Sequence, residues 1–185
     1  KLFYSLEDVL NSSLTSDKVQ AEIKRLRASH GEHRVKGYVT VVKNPGRKDE
    51  QILCEAKPNI LLDDGRDAMI EALYIDTSAS QVGFNHIAVT TNATAPADSD
   101  TTLTGEITTG GLARSLAGTR THTTGTNSAV VEHTFSASAT HTNVQKSGLF
   151  DLISAGIMGH EDTFTAATLN SGDDLKVTWN LTLDD

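Results

Sequence analysis

At 185 residues the chain suits one good-sized domain, or a small domain with an appendage. Hydrophobic residues make up 37% and aromatics only 5%, so a core has to be built mostly from Val, Ile, Leu and Ala. A net charge of −8 speaks against general nucleic-acid binding by phosphate neutralisation, and no apolar run approaches the roughly 18 residues of a membrane span.

The charge is unevenly spread. Residues 1–50 hold ten Lys/Arg against seven Asp/Glu, a net of +3, whereas residues 51–185 hold six against seventeen, a net of −11. A basic segment ahead of an acidic domain is usually a solvated surface, and its sharper use is docking on an acidic partner. The lone Cys54 rules out an internal disulfide, and its alternation with Ile52 predicts a small buried residue. With no signal-peptide pattern at its start, the chain reads as a soluble protein made in a reducing compartment. It opens on Lys1 rather than Met, so something upstream is expected to have been removed or to lie outside this numbering.

In chain order, residues 5–31 read as helical. Ser5 with Asp8 makes an N-terminal cap, Leu6, Val9, Leu10 and Leu14 form a short apolar stripe, and Val19, Ile23 and Leu26 recur at helical spacing. Lys24, Arg25, Arg27 and Gly31 suit a helix C-terminus. So thin a stripe stabilises little alone, so the segment is expected to pack on a neighbour. From Arg34 the period changes: Val35, Gly37, Val39 and Val41 alternate with Lys36, Tyr38 and Thr40, and Asn44-Pro45-Gly46 closes the run as a turn. Gln51 to Glu55 returns as the second arm of a hairpin, ended by Pro58-Asn59. Asp64-Gly65-Arg66-Asp67 then opens a short helix near 64–74.

From Thr77 onward Thr and Ser supply 32 of 109 residues; since threonine is β-branched, this is strand composition rather than disorder. The predicted strands are 84–91, 106–120 (broken at Gly110-Gly111), 128–139, 142–152, 157–165 and 173–183, separated by turn signals such as Ser154-Ala155-Gly156 and Ser171-Gly172-Asp173. The last strand is the clearest. Leu175, Val177, Trp179, Leu181 and Leu183 share one face, while Lys176, Thr178, Asn180 and Thr182 share the other. The expected fold is mainly β, an antiparallel β-sandwich (jelly-roll or Ig-like) with an N-terminal helical segment: residues 1–33 form the attachment segment and 34–185 the sandwich.

Chemistry is sparse. Asp63-Asp64-Gly65-Arg66-Asp67 resembles part of a calcium loop but enters a helical pattern, where Asp64 caps and Asp67 favours the N-terminal dipole. None of the seven histidines is spaced as His-x-His or as in a zincin, and no second cysteine is available, so no metal and no cofactor is expected. His133 shares a face with Ala129, Val131, Phe135 and Ala137 and reads as a hydrogen-bonded core residue; in a trimer, His86, His122 or His141 could meet their copies on an axis. Ser115, between Gly111 and Gly118, lacks the tight spacing of a nucleophile elbow. The acid pairs Glu161-Asp162 and Asp173-Asp174 read as solvated turn residues. No catalytic residue is assigned.

Several strings, taken in order, carry a resemblance. They are Asn59 with Gly65-Arg66-Asp67-Ala68; His86-Ile87-Ala88-Val89; Thr94-Ala95-Pro96-Ala97 with Asp100-Thr101-Thr102-Leu103 and Glu106; and Gly110-Gly111-Leu112-Ala113-Arg114. The C-terminal part adds Gly148-Leu149-Phe150, Gly156-Ile157-Met158 and Ser171-Gly172-Asp173-Asp174-Leu175-Lys176-Val177-Thr178-Trp179. Over about residues 35–183 the chain resembles a family of structural proteins of tailed bacteriophages and related viruses, of head-decoration or tail-fibre type. It departs from that pattern at Thr90-Thr91-Asn92, in place of a glycine-rich turn, and at Lys146, in place of an acid.

The resemblance implies a β-sandwich without catalysis, present in many copies on a symmetric particle. The expected function is that of a non-enzymatic virion component, an exterior sandwich attached to capsid or tail by its N-terminal segment. Its localisation would be the virion, assembled in the host cytoplasm. Its partners would be major capsid or tail proteins and copies of itself in a homo-oligomer, with no nucleic acid and no membrane. Leu6, Val9, Leu10, Val19, Ile23 and Leu26 are the expected docking residues, with Lys24, Arg25 and Arg27 steering towards an acidic shell. The alternative is a receptor- or glycan-binding module at the tip of a tail fibre, which the scarcity of Trp and Tyr opposes.

Overall fold

Strand pairing starts where the alternation starts. The computed structural model describes residues 34–62, 64–65, 83–124 and 126–184. Nine strands occupy them: β1 (Arg34–Lys43), β2 (Gln51–Leu61), β3 (His86–Thr90), β4 (Ser115–Leu116), β5 (Thr119–His122), β6 (Ser128–Ser136), β7 (His141–Phe150), β8 (Met158–Leu169) and β9 (Asp174–Asp184). The protein is thus mainly β. The strands form one antiparallel sheet in the order β4-β3-β7-β8-β2-β1-β9-β6-β5. Residues Val35–Leu183 make up one compact unit. The predicted N-terminal helices and docking residues lie outside the described residues, as does the predicted 64–74 helix beyond Asp64-Gly65.

The sheet is strongly curled, and chain connectivity demands it. Strands β4 and β5 stand at opposite ends of the strand order, yet only Ala117 and Gly118 separate them in sequence. Three peptide steps reach at most about 11 Å. Nine flat strands spaced about 4.8 Å apart would span nearly 40 Å. The two edges must therefore come together, and His133 of β6 spans them by bonding to the Leu116 backbone of β4.

The bend is concentrated on β2. Its residues up to Asn59 pair with β1, whereas Ile60 and Leu61 pair with Glu161 and His160 of β8. Ala56 adopts φ 43°, its N–H donates to Thr40 Oγ1 at 3.0 Å, and the register against β1 slips there. A bulge of this kind re-aims the strand, which is why β2 runs through Pro58-Asn59 instead of stopping there. A second slip, between Val41↔Cys54 and Val42↔Ile52, falls at Leu53 and moves the apolar face: Leu53 is buried, Cys54 half-buried and Ile52 60% exposed, so the predicted Ile52/Cys54 face is corrected.

Strand β9 follows its period. Leu175, Val177 and Trp179 are wholly buried, and β6 pairs with β9 without a break from Ser128↔Thr182 to Ser136↔Asp174. Val131, Phe135, Trp179, Leu149, Ile87 and Val41 belong to one core cluster, so β1, β3, β6, β7 and β9 share a single interior. Burying each such side chain contributes about 1.5–3 kcal/mol before conformational entropy is counted.

Two predictions fail for identifiable reasons. The 106–120 strand is mostly loop, with pairing confined to β4, β5 and a bridge between Glu106 and Thr90. Gly110 and Gly111 take φ 62° and 83°, and a Cβ on Gly111 would run into the Ser136 carbonyl, so the chain turns there against β6. Glu161-Asp162 is not a turn but the middle of β8, and both acids are buried. Residues 146–150 and 158–162 are buried on both faces, because Leu62, Ala88, Leu103, Phe150 and Met158 form a second cluster on the face opposite the main core.

The ends of the sheet are tied by turns. Asn44, at φ 49°, donates through Nδ2 to Asp49 at 2.7 Å and to Asp173 at 3.0 Å, and its side-chain Oδ1 accepts from the Asp174 N–H at 2.8 Å. Asp173 is held down to about 2 by the backbone at Asn170, by Asn44 and by Lys43.

Candidate functional site

Three consecutive polar residues of β8, His160-Glu161-Asp162, are 1%, 1% and 4% exposed. Strand alternation sends Glu161 to one face of the sheet and its two neighbours to the other. The cluster is therefore two half-sites, back to back.

On the outer half, Glu161 faces Lys146 of β7, whose Nζ lies 3.5 Å from both carboxylate oxygens. Gly148 is the ladder partner of Glu161 and carries no side chain to fill the space; Phe150 and Met158 close it, 2.9 and 3.1 Å from where a Cβ would stand. Asp100, from the loop after β3, brings its carboxyl into hydrogen-bond contact with that of Glu161. Burial first, and then Asp100, push the Glu161 carboxyl up to about 7 against the pull of Lys146. Asp100 is held low, chiefly by the same contact.

On the inner half, Asp162 Oδ1 accepts from Lys57 Nζ at 2.7 Å and from the Thr163 N–H at 2.7 Å, while its Oδ2 is buried without a partner. Lys57 also donates to the Thr163 carbonyl at 2.6 Å, which fastens β2 to β8. Asn59 Nδ2 donates to His160 Nδ1 at 2.8 Å. Burial depresses the imidazole to about 4, so it is neutral at physiological pH. Its ring meets Phe84 edge-on at 6.3 Å and Trp179 at 6.1 Å. It also forms part of the wall of a cavity of about 340 Å³ with Phe84, Ala129, Val131 and Leu181.

Glu161 could exchange a proton near neutrality, and His160 borders a cavity. The sheet stands between them, so they cannot act together on one substrate. Among the described residues, no three His, Cys, Asp or Glu side chains are grouped to hold a metal ion.

A second polar tie clamps the loops over the outer face. Arg114 donates to Glu106 through Nε at 3.0 Å and Nη2 at 2.5 Å, and through Nη1 to the carbonyls of Leu152 and Ala155 at 3.1 and 2.7 Å. Its guanidinium lies 3.5 Å from the centroid of the Phe150 ring.

The nine predicted docking residues, Leu6 to Arg27, all fall outside the described residues. His133 is half-buried, 4.6 Å from the Phe135 ring centre, and lowered by burial. His86, His122 and His141 each bond to a carbonyl of their own chain, at Asp151, Ser128 and Gly110. Sequence reasoning missed Lys146, Glu161 and Asp162 as a buried set. The available signal was a lysine and two acids on neighbouring predicted strands, close in sequence to the apolar strings Gly148-Leu149-Phe150 and Ile157-Met158.

No protein-family model, curated protein or solved structure matches this chain.

Proposed function

We propose that this chain is a non-enzymatic structural component of a tailed virus particle: an exterior β-sandwich, attached to capsid or tail by its N-terminal segment in a decoration, vertex or fibre-type role. The observation that carries the reading is where the resemblance-bearing strings fall. Gly65 lies against the Gly159 backbone, where a Cβ would come within 2.6 Å of the carbonyl oxygen. Ala88, Leu103, Phe150 and Met158 build the second apolar cluster. Glu106 and Arg114 clamp two loops, and Asp173-Asp174 lock the turn into the strand that carries Trp179. These strings fall at framework positions, in close backbone contacts, apolar packing and turn ties, as expected of a protein whose role is to hold a shape.

The curled sheet closing on one shared interior supports the two-layered form of the fold. Attachment by Leu6, Val9, Leu10, Val19, Ile23 and Leu26, with Lys24, Arg25 and Arg27, would gain strength from many weak symmetric contacts rather than from one deep site. The test is peptide mass spectrometry of gradient-purified particles from the source culture. The chain should sediment with the capsid proteins, and deletion of residues 1–31 should leave a folded protein missing from particles. Recovery of the intact chain only in the free-protein fraction overturns the reading.

A further inference from the structure

We propose that Asp100, Glu161 and Lys146 form a proton-operated latch that holds the 91–106 loop against the outer face of β3, β7 and β8, and that loss of one shared proton releases the loop. The geometry supplies the reason. Two carboxyls and one ammonium meet there: Glu161 and Lys146 are 1% and 4% exposed, and Asp100 reaches Glu161 from a half-buried position on the loop. Two carboxylates have only acceptors to offer each other, so their contact needs a proton between them. With that proton the group is neutral; without it a net negative charge sits under the loop, which burial disfavours. Lys146 cannot fully compensate, because 3.5 Å exceeds the 2.7–2.9 Å, roughly, of a strong charge-assisted bond.

The loop is built to hinge on this contact. Its ends are pinned, at one side by Thr90 Oγ1 donating to the Thr104 and Gly105 carbonyls at 2.8 Å, and by the Ile107 N–H on the Val89 carbonyl at 2.9 Å. Between the pins Asp100 is presented by a tight turn, its Oδ2 accepting the Ala97 N–H at 2.9 Å. Leu103 inserts beside Ala88, Phe150 and Met158. Releasing Asp100 would loosen this lid and uncover that apolar face.

Among the described residues, Lys146 from β7 and Asp100 from the loop are the titratable groups acting directly on Glu161; the same outer face also carries His86 of β3, bonded to the Asp151 carbonyl, and the Arg114–Glu106 pair over Phe150. Strands β2 and β7 meet it in the ladders with Ile60 and Gly148, and β3 contributes Ala88 and Thr90 to that face. His160 and Asp162 project from the opposite face of β8, and Lys57 is engaged by Asp162. The closed state keeps its proton up to about pH 7, and an opened, rehydrated Glu161 returns towards its ordinary 4.5. Opening therefore releases a proton between those values. The opening equilibrium rises by up to about tenfold per pH unit in that window and levels off above it.

Hydrogen exchange of the full chain from pH 5 to 8, corrected for intrinsic rates, reads this directly. Protection across residues 97–106 should fall by up to about tenfold per pH unit to pH 7 and then flatten, while β6 and β9 amides stay unchanged. Glu161→Gln, neutral throughout and still able to donate to Asp100, should hold the loop protected at every pH. Asp100→Ser should leave it open at every pH. A wild-type loop with no pH slope, a slope retained in either variant, or an equal loss in β6 and β9 overturns the proposal.

Discussion

Replacing Arg114 by Met keeps an apolar stem over the Phe150 ring and deletes five interactions at once. The guanidinium makes two bonds to Glu106, two to the carbonyls of Leu152 and Ala155, and one face contact with Phe150. The side chains of Arg114 and Glu106 are 10% and 20% exposed, so the pair is largely out of water. Breaking a buried pair from one side leaves a charge unmatched, which costs about 3–5 kcal/mol. Glu106 can recover some hydration, so Arg114→Met should cost about 3 kcal/mol, equivalent to a fall in Tm of roughly 6–12 °C for a domain of this size. Glu106→Gln added to Arg114→Met removes the orphaned charge and should restore about 1–2 kcal/mol. Urea unfolding of the four members of this cycle, with m unchanged, measures both quantities. A single-variant cost below about 1 kcal/mol, or strict additivity in the double variant, would refute the clamp.

Four further outcomes test the core, a turn and two titrating groups. Trp179→Ala empties the centre of the shared interior and should cost about 3–5 kcal/mol by urea unfolding. Gly111→Ala meets both a left-handed backbone and the Ser136 carbonyl, and thermal melts should show it less stable than wild type by more than about 1 kcal/mol. Burial raises the Cys54 thiol to about 11 from 9.0, so its thiolate at pH 8 is about a hundredfold scarcer than that of a free thiol, and iodoacetamide should alkylate it correspondingly slowly. Asp173 is depressed to about 2, below its ordinary 3.8. Its stabilisation is present above pH 4 and lost as pH falls towards 2, so Asp173→Asn should flatten that acid limb of the stability curve.

Residues with a clean period of two were legible. β9 and the end of β6 bury one face against the common core and wet the other, so their apolar residues declare their side locally. The hairpin of β1 and β2 was legible through Asn44-Pro45-Gly46, whose turn is held by the side-chain bonds of Asn44. Residues 146–150 and 158–162 were not, because a loop covers their second face and their burial depends on Leu103 and Asp100, some 40 to 60 positions away. The same distance hid the site: Lys146 and Glu161 look like surface charges until the loop is laid over them.

Alternation, β-branched composition and turn residues, all encoded within a few positions, determined that this protein is built from antiparallel strands and where most of them lie. The closure of the sheet, the bulge that turns β2 towards β8, and the burial of one lysine beside two carboxyls were decided by the tertiary structure alone. Each depends on contacts between segments remote in sequence, and desolvation acts on a charge only once those segments have closed around it.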